Sequence, residues 1–166
     1  NLALRNTKAY IPEYPVGDAD DCADMIHEFL PIVRAVVGLK NLKIISFGPR
    51  PQNFLACNAP IKQLYNLDVE IEEESELDLF ESYQKHADDK DGIEAIAKDM
   101  AKELGQAEVN DTLRKLAQYE LTLKDWVKEH MGYRKYVALT TKCWPAFQDM
   151  FRFNPCYVNS RLAKEG

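Results

Sequence analysis

The residues best suited to chemistry stand in one run, Lys142-Cys143-Trp144-Pro145-Ala146-Phe147-Gln148. Lys142 and Gln148 carry donors that can reach hydroxyl groups, and Trp144 offers a flat apolar face of the kind on which sugar C–H groups pack. Pro145 cannot join a β ladder, so it turns the chain at a strand end and can open a helix. The competing reading makes Trp144 a core anchor and Cys143 a small buried filler, and the residues by themselves favour it. No Ser/His/Asp arrangement can be assembled, and Cys143 has no histidine close in sequence to act as its base. A second run, Gly48-Pro49-Arg50-Pro51-Gln52-Asn53, holds Arg50, which either binds an anion or hydroxyl or is merely solvated. It has one glycine rather than a G-x-G-x-x-G series, and no G-K-[ST] follows anywhere, so nucleotide binding is not supported.

Other reactive side chains are dispersed. His27, His86 and His130 stand alone in helix-like stretches and are read as surface or boundary residues, so no metal ligand is assigned to the chain. Cys22, Cys57, Cys143 and Cys156 form no C-x-x-C pair, which signals neither zinc nor a disulfide framework. Reduced, mostly buried cysteines of a cytoplasmic protein are expected. The net charge is −6 and acids concentrate between Asp68 and Asp111, read as a solvated face that repels phosphate backbones. No nucleic-acid partner is therefore expected. Apolar runs such as Ala35–Leu39 are far too short to cross a bilayer, so no membrane partner is expected either.

The elements that must position these residues follow from periodicity. Asn1–Gly17 has two prolines and little pattern, and reads as a lead-in segment over residues 1–17. From Asp18 an amphipathic helix runs through Met25/Ile26, Phe29/Leu30, Val33 and Val36/Val37, with Pro31 expected to kink or split it and Gly38 to end it. Leu42–Phe47 reads as a buried strand, Asn58–Leu67 as a helix, and Asp68–Glu74 as a second strand at an edge. Ser75 caps a helix presenting Leu77, Phe80 and Tyr83. Two helices fill the stretch from about Asp89 to Met131, stopped by Gly105 and Gly132. Tyr136–Lys142 is a third strand, and Pro145–Phe151 and Val158–Ala163 are short helices. Strands alternating with helices predict one α/β domain over residues 18–166, Rossmann-like or flavodoxin-like, three-layered, with a mostly parallel sheet. Ligands of such sheets bind beyond the C-terminal strand ends, where both runs fall.

Lys142-Cys143-Trp144-Pro145-Ala146-Phe147-Gln148, followed by Pro155-Cys156-Tyr157-Val158-Asn159-Ser160-Arg161-Leu162, resembles the K-C-W-P-x-F … P-C-x-V-x-S-R-L stretch of L-fucose isomerase-like proteins. Phe47–Phe54 is similar to the G-x-R-P-x-x-F segment of that family, and Leu64–Glu70 to a pattern of its middle domain. The resemblance spans about Lys43 to Gly166. It implies a middle-domain fragment of a larger ketol isomerase that interconverts an aldose, of the L-fucose or L-arabinose type, with its ketose. That chemistry moves a proton between neighbouring carbons through an enediol and needs a base and a divalent metal, typically Mn²⁺. The family's metal carboxylates and histidine lie in a C-E-x-D segment after the S-R-L turn and in a later domain, so no metal ligand and no catalytic base is carried over.

Lys142, Trp144, Asn159 and Arg161 carry over as substrate-pocket residues, in competition with structural roles in turns and helix packing. The expected partners are a small sugar, the rest of the parent polypeptide and further copies of it in a homo-oligomer. The fragment alone is expected to be inactive. One departure matters: Ala146 stands where some family members have an acid just after the W-P pair. It motivates the alternative of a non-catalytic sugar-binding or subunit-assembly module.

Overall fold

The computed structural model describes residues 2–49, 56 and 60–165. Arg50 and most of its loop, Cys57, and the start expected for the Asn58–Leu67 helix lie outside the described residues. By internal contacts the chain divides into two compact units, Asn1–Lys40 and Asn41–Gly166. The single domain expected over residues 18–166 therefore spans this division.

In the first unit, α1 covers Ala19–Lys40. Asp18 starts it: its Oδ1 accepts from the backbone N–H groups of Asp20 at 2.9 Å and Asp21 at 3.0 Å. The helix passes through Pro31 without interruption and runs on through Gly38 to Lys40. Proline removes one bond of the ladder, and the turns on both sides carry the helix across it. Gly38 is not among the residues with positive φ, so it does not act as a left-handed cap. None of the α1 residues is buried. Tyr10 of the lead-in stacks on Phe29, with ring centroids 5.4 Å apart.

The second unit holds β1 (Leu42–Phe47), α2 (Lys62–Asn66), β2 (Glu70–Glu74), α3 (Glu76–Lys85), α4 (Lys90–Glu103), α5 (Asp111–His130), β3 (Tyr136–Thr141), α6 (Ala146–Phe151) and α7 (Cys156–Glu165). The strands form an open, wholly parallel sheet in the order β2-β1-β3, the α/β class read from the sequence. β1 is central, with Ile45 opposite Glu72 on one side and Leu139 on the other.

Helix starts and stops follow local chemistry. Ser75, Asp89 and Asn110 each accept a backbone N–H at the starts of α3, α4 and α5. Gly105 and Gly132, at φ +66° and +59°, take the left-handed conformation that ends α4 and α5. The core lies on the β1 face carrying Ile45 and Phe47, where Leu79, Met100, Tyr119, Leu123, Trp126, Phe147 and Val158 are buried. Trp126 packs edge-on to Phe47 with centroids 5.1 Å apart. On α3 Tyr83 is buried and Phe80 packs against the core as expected, but Leu79 is fully buried and the third expected residue, Leu77, is 70% exposed. The cysteines differ too, since Cys22, Cys143 and Cys156 are free and exposed rather than buried.

Candidate functional site

In strand order β2-β1-β3 the chain leaves β1 toward β2 and later returns on the other side of it, which places the switch point at the C-terminal end of β1. Small-molecule sites are commonly crevices of about 300–1,000 Å³, and one of ≈ 630 Å³ opens here. Gly48 and Pro49 follow β1, Glu73, Glu74, Ser75 and Glu76 end β2 and begin α3, and Ala146, Phe147, Met150 and Phe151 belong to α6. Gly48, at φ +83°, donates its N–H to the Glu74 carbonyl at 2.8 Å. A Cβ at Gly48 would lie 2.7 Å from Glu76 Cγ, so only glycine lets the Glu76 side chain sit against the backbone here. Glu76 Oε1 is buried and has no hydrogen-bond partner among the described residues.

A second constellation lies along β2. The parallel register sets Glu70, Glu72 and Glu74 opposite Lys43, Ile45 and Phe47, so all three acids share the face that covers the core. The expectation of a solvated acidic face is corrected for these residues; Glu73, on the opposite face, is exposed. Lys43, 5% exposed, draws Glu70 and Glu72 together. Its ammonium lies 3.2 Å from Glu70, pairs with Glu72 and donates to the His130 carbonyl at 2.6 Å. Arg134 donates to Glu70 at 3.0 Å. His130 Nδ1 lies 2.5 Å from Glu72 Oε1, and its ring stacks on Trp126 at 4.8 Å.

The charges follow from this packing. Burial pulls the Lys43 pKa down, but the bonds to Glu72 and Glu70 outweigh it and the net direction is up. Arg134 foremost holds Glu70 below the usual carboxylate range. Burial pushes the Glu72 carboxyl up, while Lys43 and His130 together bring it below its ordinary value. Glu74 has no such cation, and burial with the neighbouring Glu72 carboxyl pushes it up.

Glu72, Glu74 and His130 each place one ligand-type atom within 4.8 Å of the others, the one such group among the described residues. Two carboxylate oxygens and an imidazole suit Mn²⁺ in kind. The Lys43 ammonium already lies against Glu72, however, and a dication beside it would meet a fixed positive charge. The group does not fit a metal centre, and no chemical step is derived through one.

The residues singled out from the sequence fall in two places. Lys142 is half-buried and Trp144 is 55% exposed on the loop between β3 and α6, at the C-terminal strand ends; the Trp144–Pro145 peptide is cis. Asn159 is exposed in the first turn of α7, where its N–H donates to the Pro155 carbonyl at 2.9 Å. Arg161 is held by its neighbours. Its guanidinium donates to Glu120 at 2.8 Å and Asp99 at 2.9 Å and also pairs with Glu103. The Glu120 bond foremost raises the Arg161 pKa.

Lys43, Glu72, Glu74 and Glu76 are given no site role by the sequence, and His130 is read there as a surface or boundary residue. The available signal was parity: acids at every second position of β2 must share a face, and the buried face of β1 has Lys43 in the same phase.

Comparison with protein families gives a match at the start of the chain. Residues 1–40 match the family described as fucose/sulfoquinovose isomerase, N-terminal domain. No curated protein and no solved structure matches the chain. The match covers the first unit and adjoins the α/β unit that carries the Lys142–Leu162 motifs. It supports an isomerase-family relationship, and does not single out a middle domain or a particular member. Among the described residues no helix is long and apolar enough to cross a membrane.

Proposed function

We propose that this chain is part of a cytoplasmic, metal-dependent ketol isomerase that interconverts an aldose of the L-fucose or L-arabinose type with its ketose. The observation that carries the reading is the match of residues 1–40 to a fucose/sulfoquinovose isomerase N-terminal domain, followed directly by a parallel α/β unit with the K-C-W-P and S-R-L runs. On this reading residues 41–166 belong to the middle domain, and the crevice at the strand ends receives the sugar.

The reaction requires a base that removes a proton from one carbon and returns it to the next, with a Mn²⁺ ion polarising the sugar oxygens. The chain's own part is to bind and orient. Lys142 and Trp144 line the approach after β3, with Trp144 offering its ring to the C–H face of the sugar. Asn159 and Arg161 stand on α7, where Arg161 is held by carboxylates of α4 and α5. Because the Glu72–Glu74–His130 group does not fit the metal, the ligands and the base come from other parts of the parent protein, and the isolated chain is inactive. The parent assembles as a homo-oligomer. Assaying the parent with Mn²⁺ on pentoses and 6-deoxyhexoses tests this: conversion abolished by chelator is expected, and no turnover of any of them would sink the reading.

Ala146 favours a second reading, a sugar-binding or subunit-assembly module without catalysis. It lines the crevice with a methyl group where an acid would bring a carboxylate. Saturable sugar binding by the parent without any ketose formed would select this reading over the first.

A further inference from the structure

We infer that Lys43 is a built-in cation that keeps the Glu72–Glu74–His130 group closed to metal ions, so that a metal-type ligand set is answered by the chain's own ammonium. The inference stands apart from the isomerase reading and holds whatever the parent protein catalyses.

The ammonium is fully coordinated. It has three N–H donors, and three acceptors meet it: a Glu70 oxygen at 3.2 Å, a Glu72 oxygen, and the His130 carbonyl at 2.6 Å. His130 is the last residue of α5, so its carbonyl is one that the helix end leaves without an intrahelical partner. A cation there also meets the negative end of the helix dipole.

The stem that delivers the charge is fixed as well. Lys43 lies on the central strand, opposite Glu70 in the β1–β2 register, with Glu72 two positions further along the same face. At 5% exposure it cannot swing out to water as a surface lysine does.

The imidazole is committed in the same way. His130 Nδ1 lies 2.5 Å from Glu72 Oε1, and its ring stacks on Trp126 at 4.8 Å. Two acceptors do not approach so closely without a proton between them, so Nδ1 donates to Glu72 and has no lone pair for a metal. Turning the ring to free Nδ1 would break both contacts.

Without the ammonium the balance reverses. Glu70, Glu72 and the His130 carbonyl would lose their shared cation, with the Glu74 carboxyl and the imidazole within reach, and oxygen ligands with one imidazole suit Mn²⁺. With the ammonium in place, a dication meets a fixed positive charge against the same carboxylate. Lys43 and a metal ion are therefore alternative occupants of one place.

The test is a Mn²⁺ titration of the full 166-residue chain, ¹⁵N-labelled. In wild type the amides of Glu72, Glu74 and His130 should lose no more intensity to the paramagnetic ion than those of the exposed Asp20 and Asp21, up to about 1 mM Mn²⁺. Selective loss at the three would overturn the inference from the wild-type chain alone. Lys43→Met should gain a site: the same three signals vanish at Mn²⁺ concentrations at least about tenfold lower, and Mn²⁺ raises the Tm until chelator is added. Should Lys43→Met be unfolded by itself, folding driven by Mn²⁺ and followed by circular dichroism supports the inference equally. Lys43→Arg keeps the charge and should stay as closed as wild type, and adding Glu74→Gln to Lys43→Met should remove most of the affinity gained. A Lys43→Met chain that binds Mn²⁺ no better than wild type, or stays unfolded with Mn²⁺ present, would overturn the inference. So would a Lys43→Arg chain that binds Mn²⁺ as well as Lys43→Met, or a Glu74→Gln addition that leaves the gained affinity intact.

Discussion

The second unit contains two ion networks that look alike in composition and differ in balance. Around Arg161, a guanidinium on α7 meets Glu120 of α5 and Asp99 and Glu103 of α4, and Lys124 adds a second cation to Glu120 at 2.8 Å. Around Lys43, one ammonium is shared by Glu70 and Glu72, Arg134 adds a second cation to Glu70 at 3.0 Å, and among the described residues no lysine or arginine pairs with Glu74. The first network ties helices together with nearly every charge answered. The second leaves one carboxyl that is easier to protonate than usual, next to the crevice. Balance, rather than the number of charges, separates a cross-brace from a poised group.

Removing the central cations gives the largest expected effects. Lys43→Met takes from Glu70 and Glu72 the buried ammonium they share, leaving Glu70 to Arg134 and Glu72 to His130, and should lower stability by about 3–5 kcal/mol, read from urea unfolding. Adding Glu72→Gln to it should restore part of the loss; no recovery would show that Glu72 does not depend on Lys43. Arg161→Met should cost less, about 2–3 kcal/mol, because Lys124 still answers Glu120, whose side chain is 1% exposed. If the two losses prove equal, the contrast in balance fails.

Gly48→Ala tests the junction between β1 and the crevice. At φ +83°, with Glu76 in the way of a Cβ, it should cost about 1–2 kcal/mol, and a neutral result would mean that Glu76 moves freely aside.

The smallest effect is a pH dependence. A carboxyl whose folded pKa is raised favours folding while protonated, and that contribution is lost as pH rises through the folded pKa. Glu74→Gln should therefore be more stable than wild type at neutral pH, with the difference vanishing as pH falls below the ordinary value of 4.5. Glu70 and Glu72 have the opposite sign, contributing stability above 4.5 that is lost as pH falls through their lowered values. Melting curves of wild type and Glu74→Gln at several pH values check this, and a constant difference across pH would refute the assignment.

How much of this was legible depended on how local the cause was. Caps at Ser75, Asp89 and Asn110 and stops at Gly105 and Gly132 act within one helical turn, so the elements could be read where they form. The α/β class followed from their alternation. The contacts of His130 could not be read in this way. It meets Glu72 across 58 positions of sequence, and only the β1–β2 register reveals that Glu72 faces inward. Arg161 was read as a substrate-pocket residue for its motif, while the structure shows its guanidinium held by α4 and α5. Leu77 and Leu79 show the limit on a helix face: both are apolar, and the angle at which α3 lies on the core decided which one is buried.

The β2-β1-β3 order also sets a clock for the backbone. β1 hydrogen-bonds to a neighbour on each side, whereas β2 and β3 each have one neighbouring strand among the described residues. Deuterium should therefore enter the outward-facing amides of β2 and β3 through local fluctuations, and those of β1 last, once the whole unit opens. Ile45, fully buried in the central strand, should be among the last to exchange.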